Sequence, residues 1–191
     1  MSAFEFCPIA GDELDSFHRA HLSRDFPPNE LKPLPVLREL MEQDINSVWA
    51  VKQNGAMAAY YILARRKGSP LVLLDYLAVE PELRSSGLGS AELRELSKQL
   101  TKEEYLLLES EWPPSGATEA EQAIRQRRIR FYQRCGAELS PLRSLLFGVD
   151  YALLTLGGNP GPAEVEKEYL ALYREMVPER WYRENLSVFR V

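Results

Sequence analysis

The chain has 191 residues, 45 % of them hydrophobic, which is enough for one sizeable core with decorations. Its 23 Lys and Arg against 28 Asp and Glu give a formal net charge of −5, which argues against a nucleic-acid binder that works by phosphate neutralisation and favours cationic or small neutral substrates. No apolar run approaches the ~20 residues of a spanning helix, the N-terminus "MSAFEFCPIAGDELD" lacks a basic region ahead of an apolar stretch, and Cys7 and Cys135 suggest reduced thiols, so the expectation is a cytoplasmic protein without a membrane partner.

"AFEFCPIA" predicts a first strand, and "GDELDSFHRAHLSRD" a helix with Leu14, Phe17, His18 and His21 at helical spacing. The prolines of "FPPNELKPLP" interrupt that helix, and "VLRELMEQ" makes a second, short one. "SVWAVKQNGAMAAYYILARRKG" reads as two strands joined at Asn54-Gly55, since Asn-Gly supplies the positive φ values of a tight hairpin turn. "PLVLLDYLAV" is apolar on both faces except at Asp75 and Tyr76, the pattern of a buried central strand. Beyond it, Gly89, Leu93, Leu96 and Leu100 recur as one buried helix face, and "EYLLLESE" is the next strand. "PPSG" then separates that strand from a helix over about 119–135, which Gly136 terminates. "SLLFGVDYALLTL" reads as a strand or hairpin arm, "GGNPGP" as a linker and "AEVEKEYLALYREM" as a helix, while the aromatic tail "VPERWYRENLSVFRV" has no clear period. This order of elements means a mixed sheet with helices on its faces.

The stretch "LAVEPELRSSGLGS" leads a strand end through a glycine turn onto a helix. A helix N-terminus fed by glycines offers convergent N–H donors and the positive end of the helix dipole, which together suit a pyrophosphate. A Walker loop is excluded because no Gly-Lys-Ser/Thr follows, and a Rossmann turn is disfavoured because that fingerprint needs three glycines near a first strand.

"LDYLAVEPELRSSGLGSAEL" resembles the acetyl-CoA-binding segment of the GNAT superfamily of N-acetyltransferases: an apolar strand, a V-x-P spacer, then Arg/Gln-x-x-Gly-x-Gly/Ala, matched by Val79, Pro81, Arg84, Gly87 and Gly89. A second signature, a strand followed by a helix ending in Phe-Tyr and then Gly, is matched by "EYLLLESE" and by Phe131, Tyr132 and Gly136 in "RRIRFYQRCGAEL". The resemblance runs from Ala3 to about Leu156 and implies an α/β fold with a mixed, mostly antiparallel central sheet and helices on both faces. Residues 1–157 are then a GNAT-like acetyltransferase domain, and residues 158–191 a C-terminal helix and aromatic tail packed on the same domain. It further implies that Arg84, Ser85, Ser86, Gly87, Leu88, Gly89 and Ser90 wrap the pyrophosphate. The pantetheine arm would run along Leu77, Ala78 and Val79.

Acyl transfer from a thioester to an amine needs a neutral amine, stabilisation of the oxyanion and a proton for the departing thiolate. Tyr132 matches the family tyrosine that acts as general acid; its alternative reading is an amphipathic flank of a buried stripe made by Ile124, Phe131 and Cys135. Asp75, Glu109 and Glu111 are the candidate bases, each with a structural alternative, and together they suit an acidic wall for a cationic amine. "SEWPPSGATEAEQ" holds no Asn, although many family members carry one after this strand to contact the pantetheine. His18 and His21 have no third ligand beside them, so no metal is expected. Arg125, Arg127, Arg128, Arg130 and Arg134 read as a solvated helix face. Tyr169, Tyr173, Trp181, Tyr182 and Phe189 are open to sheet-edge cover, acceptor wall or homodimer contact, with core packing the commoner fate of such residues. The functional expectation is an acetyl-CoA-dependent N-acetyltransferase acting on an amine of a small molecule or peptide, such as a polyamine, an amino-sugar antibiotic or a protein N-terminus. Its alternative is a catalytically silent acyl-CoA sensor or partner-binding module.

Overall fold

β-Branched and aromatic residues draw Phe4–Ile9 (β1), Asn46–Gln53 (β2), Ala56–Arg65 (β3) and Leu71–Val79 (β4) into strands in the computed structural model, which describes residues 4–191. Ala3, the expected start of the first strand, lies outside the described residues. The chain divides into two units, one holding the residues up to Arg65 with Leu74–Gly89, the other holding Arg66–Leu73 with Ser90–Val191.

In the first unit the strands lie in the order β1-β2-β3-β4. β1 pairs antiparallel with β2 from Phe4↔Gln53 to Ile9↔Val48, and β2 pairs antiparallel with β3. The hairpin turns at Asn54 and Gly55, whose φ values of 53° and 79° are the left-handed pair that Asn-Gly favours. Between β1 and β2 the chain is helical through Glu13–Phe17 (α1), a π turn at His18–Leu22 and Ser23–Asp25 (α2). Phe26, forced to extended backbone by the proline after it, ends this run, and Pro33 leads into Leu34–Glu42 (α3). The helices bury Leu14, Phe17, Leu22 and Leu37 against Val48, Ala50, Tyr60, Ile62 and Tyr76, which forms the core of this unit.

The second unit contains Leu88–Gln99 (α4) from Ser90 onward, Tyr105–Glu111 (β5), Glu119–Arg134 (α5), Glu138–Leu146 (β6) and Val149–Leu156 (β7). Pro162–Met176 (α6), Glu179–Asn185 (α7) and Leu186–Arg190 (β8) follow. Strand order is β5-β7-β6-β8, with antiparallel pairing throughout. α5 starts on a capping-box pattern: Thr118 Oγ1 accepts the Glu121 N–H at 3.2 Å, and a Glu121 carboxylate oxygen accepts the Ala117 N–H at 2.8 Å. Gly136 closes the helix at φ 95°.

The fold is α/β with mostly antiparallel strands and packed helices, as the family resemblance implies. Three local readings change. "SLLFGVDYALLTL" belongs to two strands, because Phe147 and Gly148 turn the chain at φ 47° and 82°. The aperiodic tail forms α7 and an edge strand, β8, which pairs with β6 from Leu142↔Arg190 to Leu146↔Leu186. Ile124, expected in a buried stripe, is 52 % exposed, and Ile129 at 3 % takes the buried place. Five positions separate them, about 140° around the helix, so only one can face inward. No helix among the described residues is long and apolar enough to cross a membrane.

Candidate active site

β4 loses burial toward its C-terminal end: Leu71–Leu74 are buried, whereas Leu77, Ala78 and Val79, in the first unit, are half-buried. A short 3-10 turn at Pro81–Leu83 follows, then Arg84, Ser85, Ser86 and Gly87, all exposed, and Leu88, which is buried and anchors the start of α4. Gly89 and Ser90, in the first turn of that helix, are half-buried. Ser85 and Gly87 have φ values of 65° and 88°, and a Cβ at Gly87 would meet no heavy atom within 4 Å. The Arg84 and Ser86 N–H groups donate to the Pro81 and Leu83 carbonyls, each at 3.3 Å, while the helix supplies no acceptor for the N–H groups of its own first turn. Ser86 Oγ accepts the Leu88 N–H at 3.4 Å.

A network that the sequence did not reveal braces this loop. Arg84 donates through Nε to the Val79 carbonyl at 3.1 Å and through Nη2 to Asp25 at 3.4 Å. The Asp25 side chain is only 6 % exposed; it also accepts from Arg24 at 2.7 and 3.1 Å and from the Tyr60 hydroxyl at 2.9 Å. Burial pushes the Asp25 carboxyl up, but the bonds from Arg24 and Tyr60 outweigh it and hold the group below the usual range. Glu80 joins through Arg24 and through His21 Nδ1, each at 2.9 Å. His18 Nε2 lies 2.8 Å from the Lys32 carbonyl, so both histidines have structural partners.

Asp75 is almost buried and sits in an ion pair with Lys32, while Asn46 Nδ2 donates to it at 3.2 Å. In the second unit Glu109 and Glu111 share one face of β5. Glu111 pairs with Arg125 at 2.6 Å and Arg128 at 3.3 Å, so part of the expected solvated arginine face is tied down. Glu109 accepts from the Tyr169 hydroxyl at 2.5 Å and the Tyr173 hydroxyl at 2.9 Å, both from α6. Tyr132, half-buried on the last turns of α5, makes no side-chain hydrogen bond among the described residues. Burial pushes its phenol above the ordinary value of 10.0, with Arg128 opposing, so it keeps its proton at neutral pH.

A glycine loop feeding a helix N-terminus, at the half-buried end of a strand, is an arrangement with which α/β proteins seat anions. The sequence profile of the acetyltransferase (GNAT) family matches residues 14–137, and the chain belongs to that family. Among solved structures it is similar to a GNAT-family chain from Bacteroides thetaiotaomicron, with 22 % identity and a TM-score of 0.68 over 93 % of this chain and 98 % of that one. It is similar to an acetyltransferase from Bacillus subtilis in complex with CoA, at 17 % identity and TM-score 0.53 over 82 % of this chain and 99 % of that one. A GNAT-family acetyltransferase from Elizabethkingia anophelis with acetyl-CoA bound gives 15 % and 0.50 over 81 % and 97 %. No curated protein matches the chain. Acetyl-CoA is the cosubstrate that goes with this family, and the left-handed backbone at Ser85 and Gly87 leaves space open at Gly87.

Proposed function

We propose that this protein is an N-acetyltransferase that transfers the acetyl group of acetyl-CoA directly to an amine of a small molecule or peptide. The observation that carries this reading is the exposed loop from Arg84 to Gly87, set open at Gly87 and braced through Asp25. Acetyl-CoA, when bound, supplies the activated acetyl thioester. The loop of residues 84–90 wraps its pyrophosphate with the N–H groups of Ser85, Gly87 and Gly89, those of Arg84, Ser86 and Leu88 being donated to the Pro81 and Leu83 carbonyls and to Ser86 Oγ. The backbone of Leu77, Ala78 and Val79 aligns the pantetheine and donates to the thioester oxygen.

Tyr132 keeps a phenolic proton available for a departing thiolate. Asp75, Glu109 and Glu111 are the candidate bases: Asp75 is ion-paired with Lys32, Glu111 with Arg125 and Arg128, and Glu109 accepts from the Tyr169 and Tyr173 hydroxyls. The net charge of −5 favours a cationic acceptor, drawn in by the long-range field.

A thiol-release screen over polyamines, amino sugars and peptides with free N-termini, run with wild type and Tyr132→Phe, tests the proposal. Release dependent on one amine class, cut ~10²-fold or more in the variant at unchanged acetyl-CoA affinity, supports it. Acetyl-CoA binding without release for any amine supports the sensor reading instead.

A further inference from the structure

The loop spends part of its own backbone on itself. The N–H groups of Arg84 and Ser86 go to the Pro81 and Leu83 carbonyls, and that of Leu88 goes to Ser86 Oγ. An anionic donor seated there needs further hydrogen bonds from side chains, and Arg84 is the only cation between Val79 and Gly89. Its side chain is 57 % exposed, yet two bonds fix it: Nε donates to the Val79 carbonyl at 3.1 Å and Nη2 to Asp25 Oδ1 at 3.4 Å. A guanidinium carries five N–H donors in a rigid fork, so most of the fork is unspent, and Nη1 has no partner among the described residues.

Asp25, the last residue of α2, is well placed to hold that fork. Its nearly buried carboxylate accepts from the Tyr60 hydroxyl and from both Arg24 nitrogens, and it is ionised at neutral pH because those bonds outweigh burial. Arg24 is held in turn by Glu80 at 2.9 Å, and Glu80 by His21 Nδ1 at 2.9 Å. Tyr60 is 1 % exposed, and phenylalanine would fill its place without desolvating a hydroxyl. The hydroxyl therefore matters for the carboxylate it orients. All of these residues lie in the first unit.

We infer that Asp25, oriented by Tyr60 and Arg24, is a positioning residue for the acetyl donor: it holds the Arg84 guanidinium in one rotamer, so that the unspent N–H groups are set for a donor phosphate before the donor arrives. The inference rests on the proposed seating of acetyl-CoA at this loop. Without Asp25 the guanidinium keeps its charge but regains its rotamer freedom, and ordering such a side chain on binding costs roughly two- to tenfold in affinity. Asp25 thus acts on the donor through Arg84 alone.

Calorimetric titration with acetyl-CoA of wild type, Asp25→Asn, Arg84→Met and the double variant tests this. Asp25→Asn should weaken binding about fivefold and Arg84→Met about tenfold or more. The double variant should bind no more weakly than Arg84→Met, because the carboxylate has nothing left to position. The NMR signal of the Arg84 Nε–H, assigned by its loss in Arg84→Met, should be sharp in wild type and broadened by exchange with water in Asp25→Asn, a change that a general loss of stability does not single out. Tyr60→Phe removes one bond to the carboxylate and keeps the ring, so it carries the same test should Asp25→Asn not fold. It should weaken binding roughly two- to threefold, and not at all on top of Arg84→Met. Unchanged affinity in both variants, or losses that add to that of Arg84→Met, would overturn the positioning role. No binding by wild type would instead remove the donor seat on which it rests.

Discussion

Glu92 offers a quantitative test of how tightly α4 is packed. It lies on the inward face of that helix with Leu88, Leu93 and Leu96, is 1 % exposed, and neither carboxylate oxygen has a hydrogen-bond partner among the described residues. Burial alone pushes its pKa from 4.5 to about 8. The folded chain therefore keeps the proton to about pH 8, whereas the unfolded chain gives it up near 4.5. Between those values unfolding releases a proton, so rising pH favours the unfolded state by up to tenfold per unit. From pH 5 to pH 7 this costs the wild type roughly 2 to 3 kcal/mol. Glu92→Gln keeps the shape and removes the titration. Urea unfolding of both proteins at the two pH values isolates the effect, because every other group cancels in the double difference. The variant should match wild type within about 1 kcal/mol at pH 5 and exceed it by the full amount at pH 7. Equal pH dependence in the two proteins would mean that the carboxylate is solvated and the packing argument is wrong.

Lys32→Met leaves the nearly buried Asp75 without its ion-pair partner, and should cost about 3 kcal/mol, most of it regained in Lys32→Met/Asp75→Asn; a loss below about 1 kcal/mol in thermal melts would contradict a desolvated pair. For Glu168, burial pushes the carboxyl up, but hydrogen bonds from Ser69, Lys167 and Arg66 outweigh it and set the pKa at about 2. Its contribution is present above pH 4.5 and lost as pH falls toward 2. Glu168→Gln should thus lose about 3 kcal/mol at pH 7 and converge on wild type in acid titrations followed by circular dichroism. Gly158→Ala should destabilise by more than about 1 kcal/mol in urea melts, since Gly158 has φ +56° and a Cβ there would lie 2.9 Å from the Glu104 carbonyl oxygen.

Local signals in the sequence led to most of the fold. Asn54-Gly55, the proline breaks around α3, the apolar run of β4 and the cap glycine after α5 each act over a few residues, and each names its own structure. The glycine turn onto α4 was legible for the same reason, since Arg84, Gly87 and Gly89 fall within six residues of one another. What stayed hidden depends on partners distant in the chain. Lys32 meets Asp75 across 43 positions, Asp25 meets Arg84 across 59, and Tyr169 meets Glu109 across 60. The strand β8 was missed because it is an edge strand with exposed Ser187, Phe189 and Arg190, so burial imposes no strict alternation. The buried Glu92 contradicts its own polarity, which no period of apolar residues can signal.

The central claim is that residues 84–90 seat the acetyl donor. Calorimetric titration of the purified protein with acetyl-CoA tests it directly, alongside Gly87→Trp, which puts a bulky side chain into the open space above a left-handed backbone position. Binding in the micromolar range by wild type, abolished in a Gly87→Trp variant that melts like wild type, is the result this account predicts. Equal heats of binding from the two proteins, or none from either, would contradict it.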